Sequence, residues 1–309
     1  MSEQPTFSVV IAAHNAAATL PATIRSVLQQ TRQDFEVFVV DDGSVDETHE
    51  ALLRTTGDPR ISYIRKEQSG PADSRNMGIA AARGAFVCLL DSDDLWLPTY
   101  LQAMHDAFAS EPAASLAYTD AWKLDDGTRR IYRKSIGEVL PLPAPAQPPR
   151  DPEELLVELL RRNFVFTSAT VRREVVLDVG GFTTFARSED YELWLRIAAT
   201  GHTFVRAAGV QAVYRERPGS RIHNPRAMVQ GRYEIYDLVV RTYKLTPRAR
   251  AIAEAQLQRA KDDLAALDAA QGLPEVRRSA ARRLARDLRN LRRFPPSEVD
   301  KAFPDLRAV

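Results

Sequence analysis

In the first third of the chain, the apolar runs Phe7 to Ala12 (FSVVIA), Phe35 to Val40 (FEVFVV) and Phe86 to Leu90 (FVCLL) each lead into a polar turn, with helical periodicity between them. Short β-branched and aromatic runs bounded by turns read as buried strands. Strands that alternate with helices point to a parallel sheet with crossover helices. The spacing predicts helices over Thr19 to Gln30, Asp46 to Arg54 and Pro71 to Ala82, and a shorter strand at Ile61 to Ile64. The expected class is α/β. Such a sheet gathers Asn15, Asp41, Asp42, Asp91, Ser92, Asp93 and Asp94 at the carboxyl ends of its strands, the edge where open α/β sheets bind ligands.

Beyond Pro98 the pattern predicts a helix to about Ala109, a strand at Ser115 to Thr119, and a hairpin within Lys123 to Arg133 around Asp125, Asp126 and Gly127. Pro141, Pro143, Pro145, Pro148 and Pro149 exclude helix and central strand, which leaves a long loop of the kind that often serves as a lid. Helices are expected over 153–161 and 189–200, and strands near 166–171 and 203–214. From about 226 the sequence turns to long helices rich in Ala, Leu and Arg, so the chain divides into an α/β unit, 1–225, and a basic helical extension, 226–309.

The formal charge is +1, yet residues 248–293 hold 12 Lys or Arg against 6 Asp or Glu, about +6, which leaves about −5 for the rest. This near balance gives no reason to expect a nucleic-acid partner. With 44% apolar and 27% charged residues, a disordered or fibrous chain is excluded. The single cysteine, Cys88, forms neither an intramolecular disulfide nor a paired zinc site, which fits a reducing compartment. No basic segment precedes the first apolar run, and no stretch approaches the roughly 18 apolar residues of a membrane span. The expected location is the cytoplasm, with membrane contact only from the surface.

Four segments carry candidate chemistry. In LLDSDDLWLP, Asp91 and Asp93 form a D-x-D at the end of a buried strand, where like charges repel unless a cation or a hydrogen-bond network compensates them. A hard divalent ion, Mg²⁺ or Mn²⁺, suits such oxygen ligands; alternatively, Ser92 and Asp94 only cap the next helix. In VVDDGS, Asp42 could accept from ribose hydroxyls or a base N–H, or belong with Gly43 and Ser44 to plain turn chemistry. His14, in IAAHN, could stack on a base or fill a turn. SGPADSRNMGIAAARG places Arg75 and Asn76 on a helix leading toward the D-x-D; arginine forks suit phosphate, although a lone helical arginine is usually solvated. The run contains neither the dinucleotide fingerprint nor a P-loop. Finally, VGGFTTFARSEDYELWLR sets Glu189 and Asp190 at a helix start, a place the helix dipole favours for any carboxylate and one from which Asp190 could act as a general base.

In order along the chain, these segments resemble glycosyltransferase family 2: Ala12 to Asn15, Val39 to Ser44, Gly70 to Gly78, Leu90 to Asp94, Val179 to Phe182 and Glu189 to Arg196. The resemblance covers roughly residues 6–217. It implies the A-type glycosyltransferase fold, with a Rossmann-like nucleotide-binding half and an acceptor half on a mostly parallel central sheet, followed by the helical extension. It also implies an inverting, metal-dependent enzyme that moves a sugar from a nucleoside diphosphate sugar, most commonly a UDP-sugar, to an acceptor hydroxyl in polysaccharide or glycoconjugate synthesis. Ala13, His14, Asn15, Asp42, Arg75, Asp91 and Ser92 would line the donor site, with Asp42 at the base and Arg75 near the diphosphate. Asp93 and Asp91 would hold Mn²⁺ or Mg²⁺, His223 lies where some related enzymes place a further ligand, and Asp190 would be the catalytic base.

The sequence also departs from the family. AAHN replaces the usual first motif, and the absence of Q-x-x-R-W favours addition of one sugar, or a few, over polymerisation. The acceptor, a saccharide, lipid-linked saccharide or protein, is not encoded in any recognisable pattern. Two other readings are a sugar nucleotidylyltransferase, whose glycine-rich N-terminal loop is missing here, and a non-catalytic nucleotide-sugar binding module. In VRRSAARRLARDLRNLRRF, Leu284, Leu288 and Leu291 fall at helical spacing, so this helix could lie on an anionic membrane, pack on the catalytic unit or pair two copies.

Overall fold

The computed structural model describes residues 4–127, 130–131, 145–165, 168–184, 187–217 and 224–269. The first half runs β1 (Phe7–Ala13), α1 (Leu20–Leu28), β2 (Phe35–Asp42), α2 (Thr48–Thr55), β3 (Ile61–Lys66), α3 (Pro71–Ala81) and β4 (Phe86–Asp91). The second half holds β5 (Leu95–Trp96), α4 (Tyr100–Ser110), β6 (Ala114–Asp125), β7 (Arg130–Ile131), α5 (Pro152–Arg161), β8 (Ala169–Arg172), α6 (Arg173–Asp178), α7 (Glu189–Ala199) and β9 (Thr203–Glu216). The last two helices are α8 (Pro225–Thr242) and α9 (Pro247–Ala269).

These strands form one sheet in the order β3-β2-β1-β4-β8-β6-β9-β5, with β7 beside β6. β2 is buried along its whole length, as expected of a parallel strand covered on both faces. Alternate residues serve opposite layers: Val10, Phe38 and Leu89 enter one core, and Val9, Ile11, Val37, Val39, Cys88 and Leu90 the other. Where α3 crosses β1, a Cβ on Gly78 would lie 2.5 Å from Val10 Cγ1, so only glycine lets the helix come this close.

The register positions the site. Parallel pairing aligns Ala13 with Asp41, Ala12 with Asp91, and Asp42 with Lys66, so the polar strand ends share one edge. The chain steps outward from β1 to β2 and β3, then returns to β4 on the other side of β1. In open α/β sheets ligands bind at such a reversal, which here falls at the carboxyl ends of β1 and β4.

The second half is more mixed than the strand pattern suggests, because the four-residue β8 runs antiparallel to both β4 and β6. β6 is also longer than the expected Ser115 to Thr119. It continues to Asp125 along β9 through two irregularities of register, and Ala121 and Leu124 are buried. The hairpin at Asp125 to Gly127 forms, with Leu124 opposite Ile131. The helix-cap role considered for Ser92 and Asp94 does not hold: β5 intervenes, α4 begins at Tyr100 after Thr99, and Asp94 Oδ1 instead accepts from Arg215 N at 2.9 Å.

α8 and α9 form an antiparallel pair, joined by Arg226–Asp268 at 2.8 Å and Arg232–Asp263 at 3.2 Å. Ile235, Tyr236, Val239, Ala253 and Leu257 share a core with Leu155, Leu160 and Leu193 of α5 and α7. The Tyr243 hydroxyl, just past α8, donates to the fully buried Glu192 of α7 at 2.8 Å. Among the described residues no helix is long and apolar enough to cross a membrane. The arginine-rich segment 276–294, His223 and residues 134–144 of the proline-rich loop lie outside the described residues.

Candidate active site

The strand-end loops are tied to one another before any ligand enters. Asn15, at φ 49°, donates its backbone N–H to Ser44 Oγ at 2.8 Å, and its Oδ1 accepts from Val45 N at 2.9 Å. His14 Nδ1 lies 2.8 Å from the Asp42 carbonyl. A carbonyl only accepts, so the proton sits on Nδ1 and Nε2 presents its lone pair to the amides of Asn15 at 3.1 Å and Gln68 at 3.2 Å. Ala13 is buried beneath this layer.

The two aspartates that end β2 divide the work. Asp41 is turned inward, accepting from Ser44 N at 2.9 Å and from the Tyr63 hydroxyl. Asp42 accepts from Lys66 Nζ at 2.8 Å and from the backbone N–H groups of Ser69 and Gly70, both at 2.9 Å. Burial alone would raise its pKa, but these donors outweigh burial and hold it below the ordinary value. Three of the roughly four acceptor positions of a carboxylate are thereby used.

The aspartate turn is held from both sides. Asp94 N donates to Asp91 O at 3.1 Å, and Thr23 Oγ1 donates to the carbonyls of Ser92 at 3.1 Å and Asp94 at 2.9 Å. Arg75 Nη2 donates to Asp91 Oδ1 at 2.7 Å, while Arg217 Nη2 lies 2.7 Å from Asp93 Oδ2. Burial and the neighbouring charge of Asp91 push Asp93 upward, against the pull of Arg217.

Arg75 also donates to Glu189 Oε1 at 2.6 Å, and its guanidinium lies 5.2 Å from the Phe182 ring centre. The arginine foreseen near a phosphate is thus committed to two carboxylates. The next residue, Asn76, clamps the glycine turn: its Oδ1 accepts from Phe182 N at 2.7 Å and its Nδ2 donates to Phe182 O at 2.8 Å. Gly181 has φ 68°, and a Cβ there would fall 2.5 Å from Asn76 Oδ1. From α7, Arg196 closes the same turn by donating to Gly181 O at 2.7 Å, and it is steadied within its own helix by Glu192 at 2.9 Å.

Asp190 follows Ser188, a non-glycine residue in the left-handed region at φ 57°, and its Oδ1 accepts from Tyr191 N at 2.8 Å. Burial first, and then the charge of Glu189, push its carboxyl up to about 6, with Arg75 opposing and Asp91 reinforcing. Asp190, Glu189, Arg75 and Asp91 therefore form one electrostatic unit. Among the described residues no three His, Cys, Asp or Glu side chains cluster as a metal cage. Sequence reasoning missed Lys66, Gln68 and Arg217, which no local motif marks, and the grip of Asn76 on the glycine turn, for which the double glycine was the available signal.

The family model for glycosyl transferase family 2 matches residues 8–188, more than half of the chain. The chain belongs to that family. The succinoglycan biosynthesis protein ExoO of Rhizobium meliloti (strain 1021) is 38% identical over 133 residues, 42% of this chain and 38% of its own length. The Escherichia coli protein WfgD, named a UDP-Glc:α-D-GlcNAc-diphosphoundecaprenol β-1,3-glucosyltransferase, is 29% identical over 191 residues, 62% of this chain and 68% of its own. An uncharacterized glycosyltransferase of Rickettsia bellii (strain RML369-C) matches at 35% identity over 42% of this chain, but this chain spans only 18% of it. The fold is shared with S. aureus TarS 1-349 in complex with UDP-GlcNAc (TM-score 0.62, 17% identity, 84% of this chain and 72% of that one). It is shared too with the mannosyltransferase PcManGT from Pyrobaculum calidifontis in complex with GDP-Man and Mn²⁺ (TM-score 0.60, 21% identity, 93% and 81%). This is the A-type glycosyltransferase fold.

Proposed function

We propose that this chain transfers a sugar from a nucleoside diphosphate sugar to an acceptor hydroxyl with inversion at the anomeric carbon. The observation that carries the proposal is the Arg75 bridge between Asp91 and Glu189, at 2.7 Å and 2.6 Å, which fixes the aspartate turn to the helix start that bears Asp190. Asp42, with one acceptor position left, takes an N–H of the base, while His14, Asn15 and Ala13 border it. Asp91 and Ser92 lie on the ribose side.

Two carboxylates, Asp91 and Asp93, fit a hard divalent cation, since Mg²⁺ and its relatives use one or two carboxylates plus substrate phosphates and waters and need no all-protein cage. When bound there, the ion supplies positive charge against the departing diphosphate. The chain's own part is the proton. Asp190 accepts it from the acceptor hydroxyl as that oxygen bonds the anomeric carbon and the carbon–oxygen bond to the diphosphate breaks. A carboxyl held at about 6 is ionised at neutral pH and more basic than an ordinary aspartate.

The names of the relatives support a UDP-sugar donor and a lipid-linked saccharide acceptor in polysaccharide synthesis. Calorimetric titration with UDP-glucose, UDP-GlcNAc, dTDP-glucose and GDP-mannose, with Mn²⁺ or with chelator, tests the donor site. One donor should bind with Mn²⁺ and lose affinity both on chelation and in Asp93→Ala; binding of none, or binding indifferent to both changes, overturns the proposal.

A further inference from the structure

β9 ends at Glu216, and the next residue, Arg217, reaches the aspartate turn with Nη2 at 2.7 Å from Asp93 Oδ2. Each carboxylate of the D-x-D is therefore held by its own guanidinium, but the two holds differ. The Arg75 side chain is 7% exposed and gripped on its far side by Glu189. Arg217 is 40% exposed, and Asp93 22%. Arg75, itself buried, cannot leave without stranding the buried carboxylate of Glu189 as well as releasing Asp91, whereas Arg217 can rotate into water at little cost.

A guanidinium and a divalent cation compete for the same carboxylate, and they repel each other at close range. A donor diphosphate offers a released guanidinium an equivalent partner, since arginine forks match phosphate oxygens. We propose that Arg217 is a resident counter-cation that changes partners during donor binding: it neutralises Asp93 in the ligand-free enzyme and passes to the donor's diphosphate as Asp93 turns to the metal. This rests on the metal-binding reading of Asp91 and Asp93 proposed above.

The exchange has a thermodynamic signature. Metal alone must displace Arg217 with no new partner for it, so it binds weakly; nucleoside diphosphate supplies that partner, so each ligand tightens the other by the same factor. The test is calorimetric titration of Mn²⁺ into wild type and Arg217→Gln, each with and without saturating UDP, with thermal unfolding to confirm folding. Arg217→Gln should bind Mn²⁺ alone about fivefold or more tightly than wild type, and the tightening of Mn²⁺ by UDP should shrink by a similar factor.

A long-range charge effect would raise Mn²⁺ affinity equally with and without UDP, so an unchanged coupling factor overturns the exchange. Unchanged or weaker binding of Mn²⁺ alone also overturns it. Asp93→Asn separates this failure from that of the underlying reading: if it leaves Mn²⁺ binding intact, the aspartate turn is not the metal site and both proposals fall. If Asp93→Asn abolishes binding while Arg217→Gln changes nothing, only the exchange falls.

Discussion

The guanidinium of Arg75 lies 2.6 Å from the carboxylate of Glu189, 114 residues away in sequence, and this pair joins the parallel β1–β4 half of the sheet to the helix that carries Asp190. Because Arg75 also holds Asp91 at 2.7 Å, one buried side chain sets the spacing between the aspartate turn and the proposed base.

Arg75→Ala should therefore cost more than a surface ion pair. Two carboxylates lose their buried partner, and the expected loss is about 3 to 5 kcal/mol in denaturant unfolding. Any Arg75→Ala or Arg75→Lys protein that folds should transfer sugar more slowly by on the order of a hundredfold, because the reacting groups lose alignment. Unfolding within about 1 kcal/mol of wild type would show that the pair is not structural.

Gly181→Ala tests the other clamp. The added Cβ would meet Asn76 Oδ1 at 2.5 Å on a backbone with φ 68°, and a destabilisation of about 1 to 3 kcal/mol is expected in thermal or chemical unfolding. Gly57→Ala, where nothing lies within 4 Å, should stay within about 0.5 kcal/mol of wild type.

Much of this edge was legible in the sequence, because strand ends are written locally. FEVFVV followed by DDGS and FVCLL followed by DSDD each couple a β-branched or apolar run to turn chemistry, and parallel pairing brings those ends together. The cross-links were not legible. Nothing near Arg75 indicates that it will meet Glu189 rather than solvent or phosphate, since that contact depends on how α3 and α7 pack. The antiparallel direction of β8 was hidden for a related reason, as Ala169–Arg172 is too short to show its orientation. Arg217 carries no motif; its pairing with Asp93 follows only from the end of β9 beside the aspartate turn.

The raised pKa of Asp190 makes opposite predictions for activity and stability. As pH falls through about 6 the base becomes protonated, so kcat/KM should decline about tenfold per pH unit below that value. Folding moves the group from the ordinary 3.8 to about 6, so within that window the folded state binds more protons than the unfolded state, and this carboxyl's contribution to stability falls as pH rises. Asp190→Asn removes this part-buried, desolvated charge and should be at least as stable as wild type at pH 7.5. A less stable variant would mean that the carboxylate supports the fold instead of straining it.

The role of Asp190 is tested most directly by measuring donor affinity and transfer rate on the same preparations of wild type and Asp190→Asn. The variant is predicted to bind the nucleoside diphosphate sugar as wild type does while transfer falls by about 10² to 10⁴. Transfer within a few-fold of wild type, or a loss of donor affinity that accounts for the lost rate, would contradict the assignment of Asp190 as the group that takes the acceptor's proton.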